Sequence, residues 1–447
     1  MKGSVIPRCE KGSVHLYPWS LLWKTSLLWF SFFVLGLSTS IIGPTLLDLK
    51  DLINENVSAV SSTFALGAFG GLVGCFLSGF ILDLLSPSSR YMCIAIAQLV
   101  ISFCTIYLPY SPNLSVMQIV SVIFGFFNGS FQTAANVLLL RIWNGHNSSP
   151  YMYAMHFCFG LGAFLAPVLA KPFLMENIAG EVFDEYGNEI FHGESDIWTI
   201  KTLYPLIGIS MLLSIPGYIY HFVQVLKAEK KETLVNDKKA NGSNDKENIS
   251  PCKRYIVITL MAFYYFTFAG LETSFRTFTS AFGVSCSLKL PRHQAADVLA
   301  VFYSTFAVFR ALIIPLSAFA SPVLVLWSSL SMISVATLSL SIWAQKSLLC
   351  LKLGVALAGA GIASLFASGM LWVKNVIPVT NKVGAVFTMS CSIGAQVYCI
   401  VIGSYIESHA MVFIHLMTGT LMSLVVCFCM MNIVSNWGRK GQRKEVL

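Results

Sequence analysis

Charged residues are scarce in this sequence. They make up 11% of its 447 residues, whereas hydrophobic residues make up 55% and the mean hydropathy is +0.70. A soluble protein of this length cannot bury so much apolar surface in its core, so the composition excludes one. We therefore expect an all-α polytopic membrane protein, because helices satisfy their own backbone groups in lipid.

Catalytic and metal-binding motifs are also missing. The sequence contains no Walker loop, no His-Glu-x-x-His pair and no nucleophile elbow. Its 12 cysteines are scattered mostly through apolar stretches, which favours packing roles over disulfides or a metal site. We expect a protein that is not an enzyme and that has neither a cofactor nor a resident metal ion.

Long apolar stretches dominate the chain instead. Twelve of them reach the roughly 20 residues that a helix needs to cross a bilayer. Their centres lie near Phe33, Gly71, Leu99, Asn128, Gly162, Gly208, Phe268, Phe306, Met332, Gly361, Gly394 and Leu424. Six precede and six follow residues 227–254, a Lys-rich segment that we expect to be a disordered cytoplasmic linker. The predicted domains are residues 1–226, this linker, and residues 255–447 with a short basic tail.

The placement of Lys and Arg predicts the orientation. With both termini in the cytoplasm, most of the 29 basic residues fall on the cytoplasmic side. The glycosylation sequons at Asn56 and Asn113 then fall outside, which favours the secretory route and the plasma membrane. Residues 1–19 lack a signal-peptide pattern, so we expect the first span to target the chain. The net charge of +8 reflects this topology and does not support nucleic-acid binding.

Two similar segments indicate that the halves arose by duplication. Residues 32–40 read FFVLGLSTS, and residues 266–274 read FTFAGLETS. The same offset pairs identical residues in other spans: Gly125 with Gly359, Met155 with Met389, and Gly160 with Gly394. Parallel repeats of this kind are typical of transporters. The copies differ where Ser38 is replaced by Glu272, so the second half carries an intramembrane charge.

A short motif connects spans 2 and 3. Gly79 permits close helix approach, and Asp83 can pair with Arg90 or cap the next helix. The motif resembles the Gly-x-x-x-Asp…Arg loop signature of the major facilitator superfamily, although Ser and Pro replace the usual run of basic residues. The resemblance implies that Asp83 and Arg90 govern conformational switching. The alternative is a turn with a local ion pair.

Three further segments narrow this resemblance. They are IIGPTLLDL at 41–49, GFFNG at 125–129 followed by RIW at 141–143, and HFCFGLGAFLAP at 156–167. Together they resemble the sodium-dependent glucose transporter branch of the superfamily, a relative of the fucose:proton symporters. The resemblance covers nearly all spans and is strongest in the first half. It implies the major facilitator fold, with two pseudo-symmetric six-helix bundles, and alternating-access transport of a hexose or similar polar solute.

Polar side chains form a stripe on span 4. Asn128, Gln132 and Asn136 recur at i, i+4 and i+8, so they lie within about 80° of one another on the helix. Amides at bilayer depth need polar partners, and they can both donate to and accept from sugar hydroxyls. Asn128 and Gln132 are therefore candidate solute ligands. The alternative is hydrogen bonding between helices.

Spans 7 and 8 carry three charges: Glu272, Arg276 and Arg310. An unpaired Arg is costly inside a membrane, and Glu272 is the intramembrane carboxylate available to Arg310. Glu272 also precedes Arg276 in the favourable i, i+4 order. Glu272 is a candidate solute ligand and coupling group whose pairing changes during transport. A permanent Glu272–Arg310 pair and a static Glu272–Arg276 pair are the competing interpretations.

The remaining candidates are single residues. Tyr264 and Tyr265 of span 7 are candidate aromatic contacts for the solute, and Gln396 of span 11 is a candidate hydrogen-bonding ligand. His156 of span 5 is a candidate gating residue, although a lone histidine is more often a hydrogen-bonded packing residue.

These residues leave the coupling ion open. A sodium ion has neutral oxygens available at Ser38, Thr39 and Thr45, whereas a proton would bind Glu272. We expect a cation-coupled transporter that acts as a monomer in the lipid bilayer. A facilitative uniporter of the same solutes and a non-transporting membrane sensor or scaffold are the alternatives.

Overall fold

Helices account for the regular structure of the described chain. The computed structural model describes residues 19–55, 57–144, 146–173, 199–236, 251–406 and 408–436. Its first-half helices are α1 (Trp19–Ser40), α2 (Leu46–Leu52), α3 (Val57–Leu84), α4 (Pro87–Tyr107), α5 (Leu114–Ile142), α6 (Ser149–Ala170), α7 (Ile200–Leu212) and α8 (Ile215–Asn236). Its second-half helices are α9 (Pro251–Ser285), α10 (Arg292–Leu316), α11 (Pro322–Trp343), α12 (Leu348–Ile362), α13 (Leu365–Lys374), α14 (Asn381–Tyr405) and α15 (Met411–Asn436).

Twelve candidate membrane spans occur within these ranges, which confirms the predicted number. Spans 6 and 10 are each built from two helices, α7 with α8 and α12 with α13. The short helix α2 follows span 1 and is not a span. Span 10 is interrupted at Ala363 and Ser364, shortly after Gly359 and Gly361, which lower the local helix propensity. At this interruption, side chains from other helices donate hydrogen bonds to backbone carbonyls.

The two halves share a packing pattern. In the first half α1 packs along α6, and in the second half α9 packs along α14. Glycines at equivalent positions make both contacts close. A side chain at Gly36 would meet the backbone carbonyl of Phe159, and a side chain at Gly270 would meet the ring of Tyr398. The all-α architecture that the sequence predicts is confirmed, and the repeat corresponds to related helix pairs.

Some expectations concern residues at the limits of the described structure. Helix α8 continues to Asn236, so the first third of the predicted linker is helical. Residues 237–250 and the sequon at Asn56 lie outside the described residues. Asn113 is exposed at the N-terminus of α5, where its Oδ1 accepts from the Val116 amide at 3.0 Å. The division into domains and the glycosylation of both sequons stay predictions.

Candidate functional site

A central cavity of about 420 Å³ lies between the two halves. This volume falls within the usual range for a small-molecule site. Helices α1, α3, α4, α5 and α7 line it from the first half, and α9, α13 and α14 line it from the second. Its lining includes four of the predicted solute ligands: Asn128, Gln132, Glu272 and Gln396.

The amide stripe of α5 is a hydrogen-bonded chain. Gln132 Nε2 donates to Asn128 Oδ1 at 2.8 Å, and Asn136 Nδ2 donates to the Gln132 carbonyl at 2.8 Å. Asn128 and Gln132 line the cavity, whereas Asn136 is buried behind it. His156 Nε2 donates to Asn136 Oδ1 at 3.2 Å. The stripe therefore presents two amides to the cavity and uses the third to hold the α5–α6 contact.

A second polar stripe faces the first from α14. Thr388, Ser392 and Gln396 all line the cavity. They recur at i, i+4 and i+8, as the residues of the α5 stripe do. Thr388 Oγ1 lies 3.2 Å from Thr133 Oγ1 of α5, so the two stripes approach each other at one end. Only Gln396 was among the candidates from sequence, although the same spacing was a signal for all three.

Glu272 lies between two guanidinium groups. Its Oε1 is 3.6 Å from Arg276 Nη1 and 3.7 Å from Arg310 Nη2. The exposed fractions of the side chains are 15% for Glu272, 36% for Arg276 and 8% for Arg310. Both predicted ion pairs are thus present together, and two guanidinium groups share one carboxylate. Glu272 and Arg276 line the cavity, with Arg310 behind them.

Arg310 also joins three separate elements. Its Nε donates to the Ala363 carbonyl at the interruption of span 10, at 3.2 Å. Its Nη1 donates to the His156 carbonyl of α6, at 3.1 Å. The guanidinium carbon lies 4.0 Å from the centre of the Phe306 ring. These contacts satisfy a buried charge and connect the second half to the first.

Tyr264 and Tyr265 do not reach the cavity. Both are fully buried, and their hydroxyls donate to the Leu365 and Phe366 carbonyls at 2.9 and 3.1 Å. The predicted aromatic contact with the solute is therefore corrected: Phe268 and Phe366 are the cavity-lining rings from α9 and α13. The tyrosines hold α13 against α9, a role that their position in span 7 alone did not reveal.

The three hydroxyl groups that were expected to bind sodium each make a hydrogen bond within the protein. Ser38 lines the cavity and donates to the Leu35 carbonyl at 3.1 Å. Thr39 donates to the same carbonyl at 2.8 Å. Thr45 Oγ1 instead lies 2.7 Å from the Tyr204 hydroxyl. Among the described residues no group of three or more His, Cys, Asp or Glu could hold a metal ion.

Asp83 of α3 caps the N-terminus of α14. Its Oδ1 accepts from the Asn381 amide at 3.1 Å and from Asn381 Nδ2 at 2.8 Å, and its Oδ2 accepts from the Lys382 amide at 3.2 Å. Arg141 Nη2 lies 3.8 Å from Asp83 Oδ1. A carboxylate at a helix N-terminus is stabilised by the free amides and the helix dipole. Asp83 therefore fastens the first half to the second.

Arg90 takes no part in this contact. The predicted Asp83–Arg90 pair is not among the ion pairs of the described residues, and Arg90 Nε instead donates to the Leu82 carbonyl at 3.0 Å. The helix that Asp83 caps is also not the next one in the chain, because α14 approaches it only through tertiary packing. The sequence pattern singled out Asp83, but its partners are the Asn381 and Lys382 amides of α14, and Arg90 is not one of them.

Two more contacts join the halves near the same end. Lys374 Nζ of α13 donates to the Trp143 carbonyl at 3.2 Å and to Ser148 Oγ at 2.9 Å. Tyr153 of α6 and Ser368 of α13 share a hydrogen bond of 2.6 Å. In the predicted topology this is the cytoplasmic end. The cavity lining reaches Ile42, Thr63 and Leu108 near the opposite ends of their spans.

A polar central cavity between two related bundles, fastened at one end, defines a class of protein: the polytopic membrane transporter. The family model described as Major Facilitator Superfamily matches residues 6–180. Human sodium-dependent glucose transporter 1 is 29% identical over 386 residues, which are 83% of this chain and 71% of that protein. Mouse sodium-dependent glucose transporter 1A is 28% identical over 83% of this chain and 87% of its own length.

Two solved transporter structures share the fold of this chain. The transporter FucP in the outward conformation is 16% identical, with a TM-score of 0.61 over 94% of this chain and 99% of that one. The proton:xylose symporter XylE bound to 6-bromo-6-deoxy-D-glucose is 13% identical, with a TM-score of 0.61 over 95% and 96% of the two chains. The chain is thus similar to the major facilitator superfamily over residues 6–180, and it shares the fold of these solved transporters. Its relatives are transporters, which confirms the expectation that it is not an enzyme.

Proposed function

We propose that this protein is a secondary active transporter that moves a sugar or a similar small polar solute across a membrane by alternating access. The observation that carries the proposal is the cavity between the halves, which receives one polar stripe from α5 and another from α14. A solute bound to both stripes would contact both halves at once. Rocking of one half against the other would then expose that solute to either side.

The chemistry of the stripes supports a polyhydroxylated solute. Asn128, Gln132 and Gln396 supply amides, and Thr388 and Ser392 supply hydroxyls. These groups can donate and accept together, as a sugar requires. Phe268 and Phe366 add apolar surface against which a sugar ring can pack. The names of the relatives, which mention glucose, fucose and xylose, favour the same class of solute.

Cation coupling is the second part of the proposal. Glu272 is a carboxylate on the cavity wall whose interactions with Arg276 and Arg310 are both longer than a charge-assisted hydrogen bond. A group held in this way can change partners when a sodium ion or a proton binds nearby. Sodium is favoured by the names of the curated relatives, and a proton by those of the structural relatives.

A facilitative uniporter is the second candidate, and a specific observation favours it. Both guanidinium groups lie within 4 Å of Glu272, so a cation approaching this carboxylate would be repelled by two positive charges. A uniporter would equilibrate the solute and never concentrate it.

Counterflow in proteoliposomes tests the proposal. The purified chain is reconstituted with unlabelled sugar inside, and entry of labelled sugar is followed with and without a sodium or pH gradient. A transporter gives transient accumulation of the label, and coupling gives accumulation that depends on the gradient. Absence of flux for a panel of hexoses, pentoses and polyols would contradict transport of this class.

The surrounding organisation belongs to the same proposal. Residues 1–226 and 255–447 would move as the two halves, with residues 227–254 connecting them. Both termini would be cytoplasmic, and the monomer in the plasma membrane would be the working unit. Protease protection of epitope tags at each terminus in intact cells tests the orientation.

A further inference from the structure

The charges around the cavity do not balance. Glu272 is the one carboxylate within 4 Å of Arg276 and Arg310 among the described residues, so this cluster has a formal charge of +1. The other described acidic residues lie near helix ends or between helices: Asp48, Asp51, Glu55, Asp83, Glu229, Glu232 and Asp297. An excess charge at membrane depth is costly unless a counter-ion or water compensates it. The cavity therefore favours an occupant of negative charge.

The two arginines differ in what they can offer a ligand. Arg310 is buried and donates to the Ala363 and His156 carbonyls, so its orientation is set by the protein. Arg276 lines the cavity, with 36% of its side chain exposed. Its guanidinium group has five N–H donors, more than its single contact with Glu272 can use. An anion in the cavity would therefore bind Arg276.

The distances indicate that Glu272 does not form a short charge-assisted hydrogen bond with either arginine. Separations of 3.6 and 3.7 Å exceed the roughly 2.7–2.9 Å of a charge-assisted hydrogen bond. If a ligand carboxylate replaced Glu272 on Arg276, Glu272 would be released to close on Arg310. Each guanidinium would then have its own carboxylate, and the cluster would be neutral.

We propose that the preferred solute is a sugar acid, a monosaccharide-sized polyol with one carboxylate that binds Arg276 while its hydroxyls bind the stripes of α5 and α14. This inference rests on the proposed transport function and adds the charge of the solute to it. A neutral sugar would satisfy the stripes and leave the excess charge in place. The same cluster repels a co-transported cation until the anion arrives, so the solute binds first.

The unmodified protein provides the first test. D-Glucose and D-glucuronate have the same ring and differ at one carbon, which carries a hydroxyl group in glucose and a carboxylate in glucuronate. In counterflow at equal concentrations, the flux of labelled D-glucuronate should exceed that of D-glucose at least tenfold. Unlabelled D-glucuronate should also inhibit glucose flux at a concentration at least tenfold lower than that needed of unlabelled glucose itself.

Substitution of the arginine provides the second test. Arg276→Gln should lower the ratio of D-glucuronate flux to D-glucose flux at least tenfold, whereas Arg276→Lys should retain part of the preference. Lys201→Gln is the matched control, because it removes an exposed positive charge that does not line the cavity. Its preference for D-glucuronate should equal that of the unmodified protein.

Three results would overturn the inference. Flux of D-glucose without competition by D-glucuronate would exclude a sugar acid and leave the transport function standing. Glucose flux that requires chloride, and loses this requirement in Arg276→Gln, would make an inorganic ion the occupant. Absence of flux for every solute would contradict the transport function and this inference together.

Discussion

The first half of the molecule offers the cavity neutral polar groups, whereas the second half also offers charges. Asn128 and Gln132 of α5 face the cavity from one side, and Glu272 and Arg276 of α9 face it from the other. The internal repeat relates α9 to α1, in which Ser38 is equivalent to Glu272. A duplicated scaffold can thus keep its packing while its two copies acquire different chemical tasks.

The comparison extends to helix packing. Gly36 of α1 approaches a backbone carbonyl of α6, whereas its equivalent Gly270 of α9 approaches the ring of Tyr398. A side chain can move aside more readily than a backbone. A larger residue should therefore be tolerated less well at Gly36 than at Gly270.

The largest effect is expected from the charge that distinguishes the halves. Glu272→Gln should abolish accumulation of solute against a gradient and leave counterflow, because an amide cannot exchange a proton or bind a cation as a carboxylate does. Proteoliposome uptake with an imposed sodium or pH gradient measures both. Ser38→Ala is the equivalent substitution in the first half. If Ser38→Ala stops accumulation and Glu272→Gln does not, coupling belongs to the first half.

The second-largest effect is expected from substitutions in the polar stripes of α5 and α14, which should weaken solute binding to different degrees. Gln132→Leu should weaken the apparent affinity for the solute about 10- to 100-fold, because a buried polar partner of the solute is removed. Ser392→Ala should weaken it less than about fivefold, since Ser392 Oγ already donates to the Thr388 carbonyl at 3.1 Å. The concentration dependence of counterflow gives both values. Equal losses would show that the two halves hold the solute equally.

The junction of the halves should respond to Asp83→Asn. This substitution removes the charge that caps α14 and should weaken the closed end by about 1–2 kcal/mol, which shifts the population about 5- to 30-fold. Distances between spin labels at the capped ends of α3 and α14 report the shift. Asp51→Asn is the control, because Asp51 pairs with Lys50 at 2.9 Å away from this contact. An unchanged distance distribution in Asp83→Asn would contradict a closing role.

The smallest effect is expected at the equivalent glycines. Gly36→Ala should destabilise the protein by about 1–3 kcal/mol, because its methyl group meets a backbone that cannot move. Gly270→Ala should cost less than about 1 kcal/mol if the Tyr398 ring shifts. Thermal unfolding in detergent compares the two proteins. A larger loss of thermal stability in Gly270→Ala than in Gly36→Ala would contradict this expectation.

Several features of the site could be predicted from the sequence because they are periodic along one helix. The i, i+4 spacing identified Asn128 and Gln132, and the position of Glu272 in span 7 identified an intramembrane carboxylate. The same spacing in α14 was available for Thr388 and Ser392, which have small side chains that are common in packed helices. Periodicity therefore identifies a polar face, and it does not tell which face meets a cavity.

Other features depended on contacts between distant parts of the chain. Tyr264 and Tyr265 were expected beside the solute, yet their hydroxyls bond to carbonyls of α13. Asp83 was expected beside Arg90, yet it caps α14. In each case the correct partner is a backbone group about 100 or more residues away, at an interruption or an end of a helix.

Hydropathy and repetition in the sequence alone determined that the protein is helical, crosses a membrane twelve times and consists of two related halves. These properties follow from the transfer of each segment into lipid, which depends on local composition. The tertiary structure alone decided that Glu272 lies between Arg276 and Arg310, with one carboxylate for two cations. The sum of charges at a site depends on which side chains meet in space, and that depends on the packing of α9 and α10 against the first half.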